Sequence, residues 1–177
     1  IVGFMQIQVP YFEQKRDYTC GPAVIRMVAA FFGTHYTQEQ LYEIAKPNPD
    51  TGTRNKDMIK VDKKLGFSVF SKNKANIEDI KKFLNQDLPV IVNFIEPRGN
   101  EEGHHSLVVG MTDREIIFND PAYGQGFGIG IAEFVSRWRS GYEPFQRWMM
   151  VVMPKKSVLG FLKSYILAKV FVRANRE

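Results

Sequence analysis

Hydrophobic positions cluster in runs whose spacing and borders predict helices first and strands later. After a short lead-in at Ile7–Tyr11, the apolar run from Ala23 to Phe32 predicts a central helix over Gly21–Phe32. Thr37 caps a second helix to Ala45, with Glu39 and Gln40 near the capping-box position. A Pro- and Gly-bearing loop, Lys46–Thr53, leads to a third helix over Asn55–Leu65, closed by Gly66. A strand at Phe67–Phe70 and a helix at Ile77–Asn85, capped by Asn76, follow. Pro89–Phe94 reads as a strand and Glu96–Gly103 as a loop. The runs His104–Met111 and Glu115–Asn119, joined by the turn Thr112–Arg114, read as a hairpin. A helix at Ile131–Arg139 and a strand at Gln146–Met153 complete the pattern. This order predicts an α+β fold: a helical half packed on an antiparallel sheet.

Gly124–Gly130 holds four glycines between the hairpin and the helix Ile131–Arg139, and Gly126 and Gly128 mimic a dinucleotide-binding loop. No convincing parallel βαβ unit with a ribose-binding acid follows. The segment is expected to be a flexible loop.

Charge divides the chain. Residues 154–177 hold Lys155, Lys156, Lys163, Lys169, Arg173 and Arg176 against Glu177, a balance equal to the +5 of the whole chain. Residues 1–153 are therefore neutral, which argues against a nucleic-acid-binding face. The 177 residues, 44% hydrophobic and 13% aromatic, suit one globular domain over 1–153, with 154–177 as a basic, apolar tail. In that tail Leu159, Leu162, Ile166 and Val170 recur at helical spacing, while Lys163 and Lys169 interrupt any membrane span. Three readings stand: packing on the domain or on a second copy, contact with an anionic membrane surface, or a linker to a further domain. No secretory signal is evident at Ile1–Phe4. The pattern favours a cytoplasmic or membrane-associated protein, with a removed signal left open.

The candidate chemistry centres on Cys20, the single cysteine. It precedes Gly21-Pro22 at the start of the central helix. Unpaired N–H groups and the positive dipole end favour a thiolate there. A thiolate nucleophile needs a base and an orienting partner. The start of one hairpin strand lies beside the end of the other, so His104 or His105 meets Asp120. Neighbouring strand residues point to opposite faces, so only one of the two is expected to see Cys20. Each residue alone has a bland reading: a buried small hydrophobe, a structural histidine, an Asp-Pro turn. One cysteine and three histidines make no closed zinc site without carboxylates, so neither a metal nor a cofactor is expected.

Four features occur together in order: Gln14 six residues before Cys20; Cys20-Gly21-Pro22; Gly103-His104; and Asn119-Asp120-Pro121. In this set, over roughly Val9–Met153, the chain resembles the papain-like cysteine peptidases of the C39 type, the double-glycine leader peptidases and their stand-alone relatives. The resemblance implies a papain-like fold whose helical half carries the nucleophile and whose sheet carries His and Asp. It implies Cys20 as nucleophile, His104 as base, Asp120 as orienter, and Gln14 with the Cys20 amide as oxyanion donors. His104 fits the family spacing, six residues before Gly110 and sixteen before Asp120, and His105 does not. The implied activity is peptide-bond hydrolysis on a peptide or protein substrate. A non-catalytic peptide-binding module and an amidase or acyltransferase on the same triad remain as alternatives. Leader-peptidase relatives are usually fused to transporter and ATPase domains. This sequence holds no Walker-type Gly-Lys-Ser/Thr, so double-glycine cleavage is a weaker implication than thiol hydrolysis.

Overall fold

The computed structural model describes residues 5–97, 103–141 and 146–155. Its elements are β1 (Met5–Gln6), α1 (Cys20–Phe31), α2 (Gln38–Ala45), α3 (Asn55–Lys64), β2 (Phe67–Lys72), α4 (Ile77–Leu84), β3 (Val90–Phe94), β4 (His104–Met111), β5 (Glu115–Asp120), β6 (Gly124–Gly130), α5 (Ile131–Arg137) and β7 (Met149–Pro154). The fold is α+β with an antiparallel sheet.

α1 is apolar almost all round and is buried from Cys20 to Ile25 and again from Met27 to Ala30. A helix of that kind belongs inside a core, and α1 packs against α2 and β4. Its one charged side chain, Arg26, stacks on Phe12 at 3.8 Å and donates from Nε to the Tyr36 carbonyl at 2.9 Å. α2 opens with a full capping box between Thr37 and Gln40, and α4 with one between Asn76 and Asp79. After α3, Gly66 at φ +91° turns the chain into β2, a conformation that favours glycine.

The strand order is β2-β7-β3-β4-β5-β6, every pair antiparallel. β1 pairs with β4 at Met111 and Gly110, on the side opposite β5. β3 and β4 are buried along their whole lengths, which explains their unbroken apolar runs. The register sets Phe94 opposite His104 and Asn93 opposite His105. It also places Leu107 opposite Asn119, so the end of β5 runs beside the start of β4.

Gly124–Gly130 is not a loop. It forms β6 and pairs with β5 from Glu115↔Gly130 to Asp120↔Gly124. Glycine lowers strand propensity and hid the signal, yet Phe127 and Ile129 alternate with glycines that lie on the exposed side. Gly126, at φ +74°, is the extra residue where the register slips between Phe118 and Asn119, a bulge that needs glycine. α5 ends at Arg137 rather than Arg139, because buried Trp138 turns inward and donates from Nε1 to the Trp148 carbonyl at 2.8 Å. The last strand begins at Met149 rather than Gln146, which instead bridges Arg139. Beyond Lys155 the expected helical tail lies outside the described residues.

Candidate active site

Cys20 is the first residue of α1, with Thr19 as N-cap and no acidic side chain in the first turn. The positive end of the helix therefore faces the thiol unopposed. The preceding loop is closed on itself: Thr19 Oγ1 accepts from the Arg16 amide at 3.1 Å and donates to the Arg16 carbonyl at 2.8 Å. On the other side, Gly21 is wedged against α3. A Cβ at Gly21 would stand 2.8 Å from Thr53 Cβ and Oγ1 and 3.0 Å from Met58 Sδ. Only glycine lets the helix start approach this closely.

The sheet supplies the partners. His104 Nε2 donates to Asp120, lying 3.0 Å from both carboxylate oxygens. Asp120 is fully buried and His104 is 6% exposed. Asp120 Oδ1 also accepts from the Ala122 and Tyr123 amides at 2.9 and 3.0 Å, an Asx turn that fixes the carboxylate. Phe94 and Tyr123 stand edge-on to the His104 ring, with centroids 5.9 and 6.3 Å away. With Nε2 committed to Asp120, Nδ1 is left for Cys20.

The segment before Cys20 is tied to the end of β5 by three bonds. Asn119 Nδ2 donates to the Val9 carbonyl at 3.0 Å, the Tyr11 hydroxyl to the Asp120 carbonyl at 3.2 Å, and the Gln14 amide to the Pro121 carbonyl at 3.0 Å. They place Gln14 in the cleft. Its Nε2 donates to the Asp17 carbonyl at 3.2 Å, leaving one N–H of that amide for another acceptor.

Electrostatics separate the charges. Burial alone pushes the Cys20 thiol up; hydrogen bonds and charge from His104 and His105 outweigh it and bring the thiol down to about 5. Burial alone would neutralise His104; Asp120 and Cys20 outweigh it and raise the ring to about 10. Burial likewise pushes Asp120 up, but His104 holds it below the usual carboxylate value. Cys20 and His104 thus rest as a thiolate and an imidazolium.

His104 and His105 diverge at their far ends, His104 to Asp120 and His105 to Asn55 and Asn93. His104 lines the cleft together with Cys20, whereas the His105 ring turns to Asn55 and Asn93. Both stand at the start of β4, and strand alternation sends the two neighbouring side chains to different partners. Sequence reasoning missed Asn55, Asn93 and the Tyr11 and Asn119 ties. Asn119 was visible within Asn-Asp-Pro, whereas Asn55 lies 50 residues from His105 and joins it only through the fold.

These residues border a cleft of about 410 Å3 lined by Gln14, Cys20, His104, Pro121 and Tyr123. Apart from Cys20 and His104, its charged lining among the described residues is Glu13, Asp17, Asp50 and Glu96, all acidic. Tyr123 donates to Glu96 Oε2 at 2.6 Å, which fixes that carboxylate on one wall.

Comparison with known proteins agrees with the fold. Residues 8–143 match the Peptidase C39 family. An uncharacterized protein of Methanothermobacter marburgensis is 28% identical over 113 residues, 64% of this chain and 72% of that protein. The peptidase domain of Streptococcus ComA, a bi-functional ABC transporter of a quorum-sensing pathway, superposes with a TM-score of 0.67 at 28% identity, over 82% of this chain and 98% of that one. Two further structures share the fold. The double-glycine motif protease of an AMS/PCAT transporter, solved with its leader peptide, has a TM-score of 0.68 at 21% identity, covering 85% and 95%. A C39-like peptidase from Bacillus anthracis has a TM-score of 0.69 at 12% identity, covering 86% and 98%.

Proposed function

The chain belongs to the peptidase C39 family, and on that premise we propose that it is an active cysteine peptidase with a Cys20–His104–Asp120 triad. The observation that carries this reading is the buried His104–Asp120 pair, 3.0 Å apart, set against a thiol at a helix N-terminus. The Cys20 thiolate attacks the scissile carbonyl carbon, and the carbonyl electrons move onto oxygen. The Cys20 amide and the spare N–H of Gln14 Nε2 receive that oxyanion, each such donor contributing about 3 kcal/mol to the transition state. The His104 imidazolium gives its Nδ1 proton to the leaving amine as the carbon–nitrogen bond breaks. Neutral His104 then takes a proton from water, which attacks the thioester and releases the acid. Asp120 holds Nε2–H throughout, which keeps Nδ1 on the reacting side.

The substrate is an extended peptide laid along the cleft. Support comes from the AMS/PCAT protease, solved with its leader peptide, although that likeness extends to the fold alone. The test is incubation of the full chain with a peptide library in heavy-oxygen water, read by mass spectrometry. Peptidase activity gives products with one heavy oxygen in the new carboxyl group. Products joined to an added amine would make the chain a transferase, and retention of intact peptides would make it a binding module.

A further inference from the structure

A glutamine buried at the start of a helix needs a reason. Gln38, the first residue of α2, is 4% exposed. Its carboxamide spans two backbone groups of the segment before the nucleophile. Nε2 donates to the Glu13 carbonyl at 3.2 Å and Oε1 accepts from the Lys15 amide at 3.1 Å, the orientation of the amide that satisfies both groups. Glu13 and Lys15 flank Gln14. Gln38 therefore brackets Gln14 through the backbone on either side of it.

Gln14 is held from the sheet as well. Its own amide N–H donates to the Pro121 carbonyl at 3.0 Å, one residue beyond Asp120. Its side-chain Oε1 is buried and accepts no hydrogen bond among the described residues. The aim of that side chain thus depends on the Asp17 contact of Nε2 and on where the backbone stands. The Gln38 anchor is fixed in turn, because α2 opens with the Thr37–Gln40 capping box and packs on α1, the helix that carries Cys20. A Lys15–Glu39 ion pair joins the same two segments, but its side chains are 63% and 65% exposed, and a pair so exposed contributes little in water. The buried carboxamide is the stronger tie.

We propose that Gln38 is a positioning residue for peptide hydrolysis: it fixes the Gln14 backbone, and with it the spare N–H of Gln14 Nε2, where the oxyanion forms. It acts through Gln14 and has no part in forming the thiolate. An oxyanion donor works only within hydrogen-bond reach of the place that the oxygen takes in the transition state. A small shift of the Gln14 backbone therefore lowers turnover rather than binding. This inference rests on Cys20 as nucleophile and Gln14 as oxyanion donor of the proposed peptidase.

The test compares full-length wild type, Gln38→Met, Gln14→Ala and Gln14→Ala/Gln38→Met, with near-ultraviolet circular dichroism as the check on folding. Methionine is as long as glutamine and offers neither an N–H nor an amide oxygen. Three quantities are read: kcat and KM for a library peptide that the wild type cleaves, inhibition by the aldehyde of that peptide, and the rate of iodoacetamide alkylation. The thiolate adds to the aldehyde carbon and the carbonyl electrons move onto oxygen, so this probe needs the oxyanion donors. Alkylation expels iodide and forms no oxyanion. Gln38→Met should lower kcat about tenfold or more with KM nearly unchanged, and weaken the aldehyde by a similar factor. Alkylation should stay within about twofold of wild type, and in the Gln14→Ala background Gln38→Met should add nothing. An unchanged kcat in Gln38→Met, an equal loss in alkylation, or a full further loss on top of Gln14→Ala would overturn the proposal. If Gln38→Met does not fold, Gln38→Glu, which keeps an acceptor for the Lys15 amide, replaces it in both backgrounds under the same criteria. Wild-type kcat in Gln14→Ala would remove the donor on which Gln38 acts and reject the proposal while leaving the peptidase standing. A wild type that cleaves no library peptide would overturn the peptidase reading, and this inference with it.

Discussion

Asp62 gives the fold a pH dependence that a single substitution isolates. It lies on the buried face of α3 with Met58 and Val61, 1% exposed, and neither carboxylate oxygen has a hydrogen-bond partner. Burial alone raises its carboxyl from 3.8 to about 8. The folded protein therefore binds this proton more tightly than the unfolded chain does. Below pH 3.8 both states are protonated and Asp62 has no pH-linked effect. As pH rises from there, the unfolded chain gains stability by ionising, and the fold loses ground until pH reaches about 8. At about 1.4 kcal/mol per pH unit, the cost at pH 7 is at most about 4 kcal/mol, a large share of the 5–15 kcal/mol typical of a domain. Asp62→Asn keeps the shape of the protonated acid and removes the titration. Urea unfolding of both proteins from pH 5 to pH 9 reads the difference. Wild-type stability should fall relative to Asp62→Asn across this range and level off near the top, with the two closest at pH 5. Parallel curves would refute the reasoning, since they would mean that the carboxyl is solvated or paired in the fold.

Three further outcomes follow from the site. Asp120→Asn removes the charge that lifts His104, so kcat/KM at pH 8 should fall by about 10³-fold and the alkaline limb of the pH–rate profile should move down from about 10 toward the ordinary histidine value. Gly21→Ala should cost about 1–3 kcal/mol in thermal or urea unfolding and lower turnover as well, because its Cβ meets buried Thr53 at 2.8 Å and pushes the nucleophile off α3. Peptides with Lys or Arg beside the scissile bond should be cleaved faster than those with Glu or Asp. Raising salt from about 0.02 to 0.5 M should shrink that preference, as screening of the four cleft carboxylates requires, and no salt effect would reject their role.

Local chemistry made most elements and the contents of the site legible. Cys-Gly-Pro ahead of an apolar run marked the start of α1 to within one residue, and Thr37 and Asn76 marked the caps of α2 and α4. The tight turn after β4 was enough to bring the ends of the hairpin together, and with them His104 and Asp120. What stayed hidden needed long-range information. β7, the last strand among the described residues, inserts between β2 and β3, and no local pattern encodes that order. β6 was masked because glycine gives the same local signal in a loop and in a bulged strand. The Asn55–His105–Asn93 cluster draws on α3, β3 and β4, and its members look like ordinary polar residues in isolation.

The central claim is that Cys20 is the nucleophile of a thiol peptidase, and peptide hydrolysis by wild type against Cys20→Ala tests it most directly. Trapping with a peptidyl thiol-directed inhibitor, read by intact mass, accompanies the assay. The account predicts one adduct per chain on Cys20 in the wild type, none in Cys20→Ala, and hydrolysis reduced by about 10⁴-fold or more in a variant that still folds. Hydrolysis at the wild-type rate in folded Cys20→Ala would contradict it.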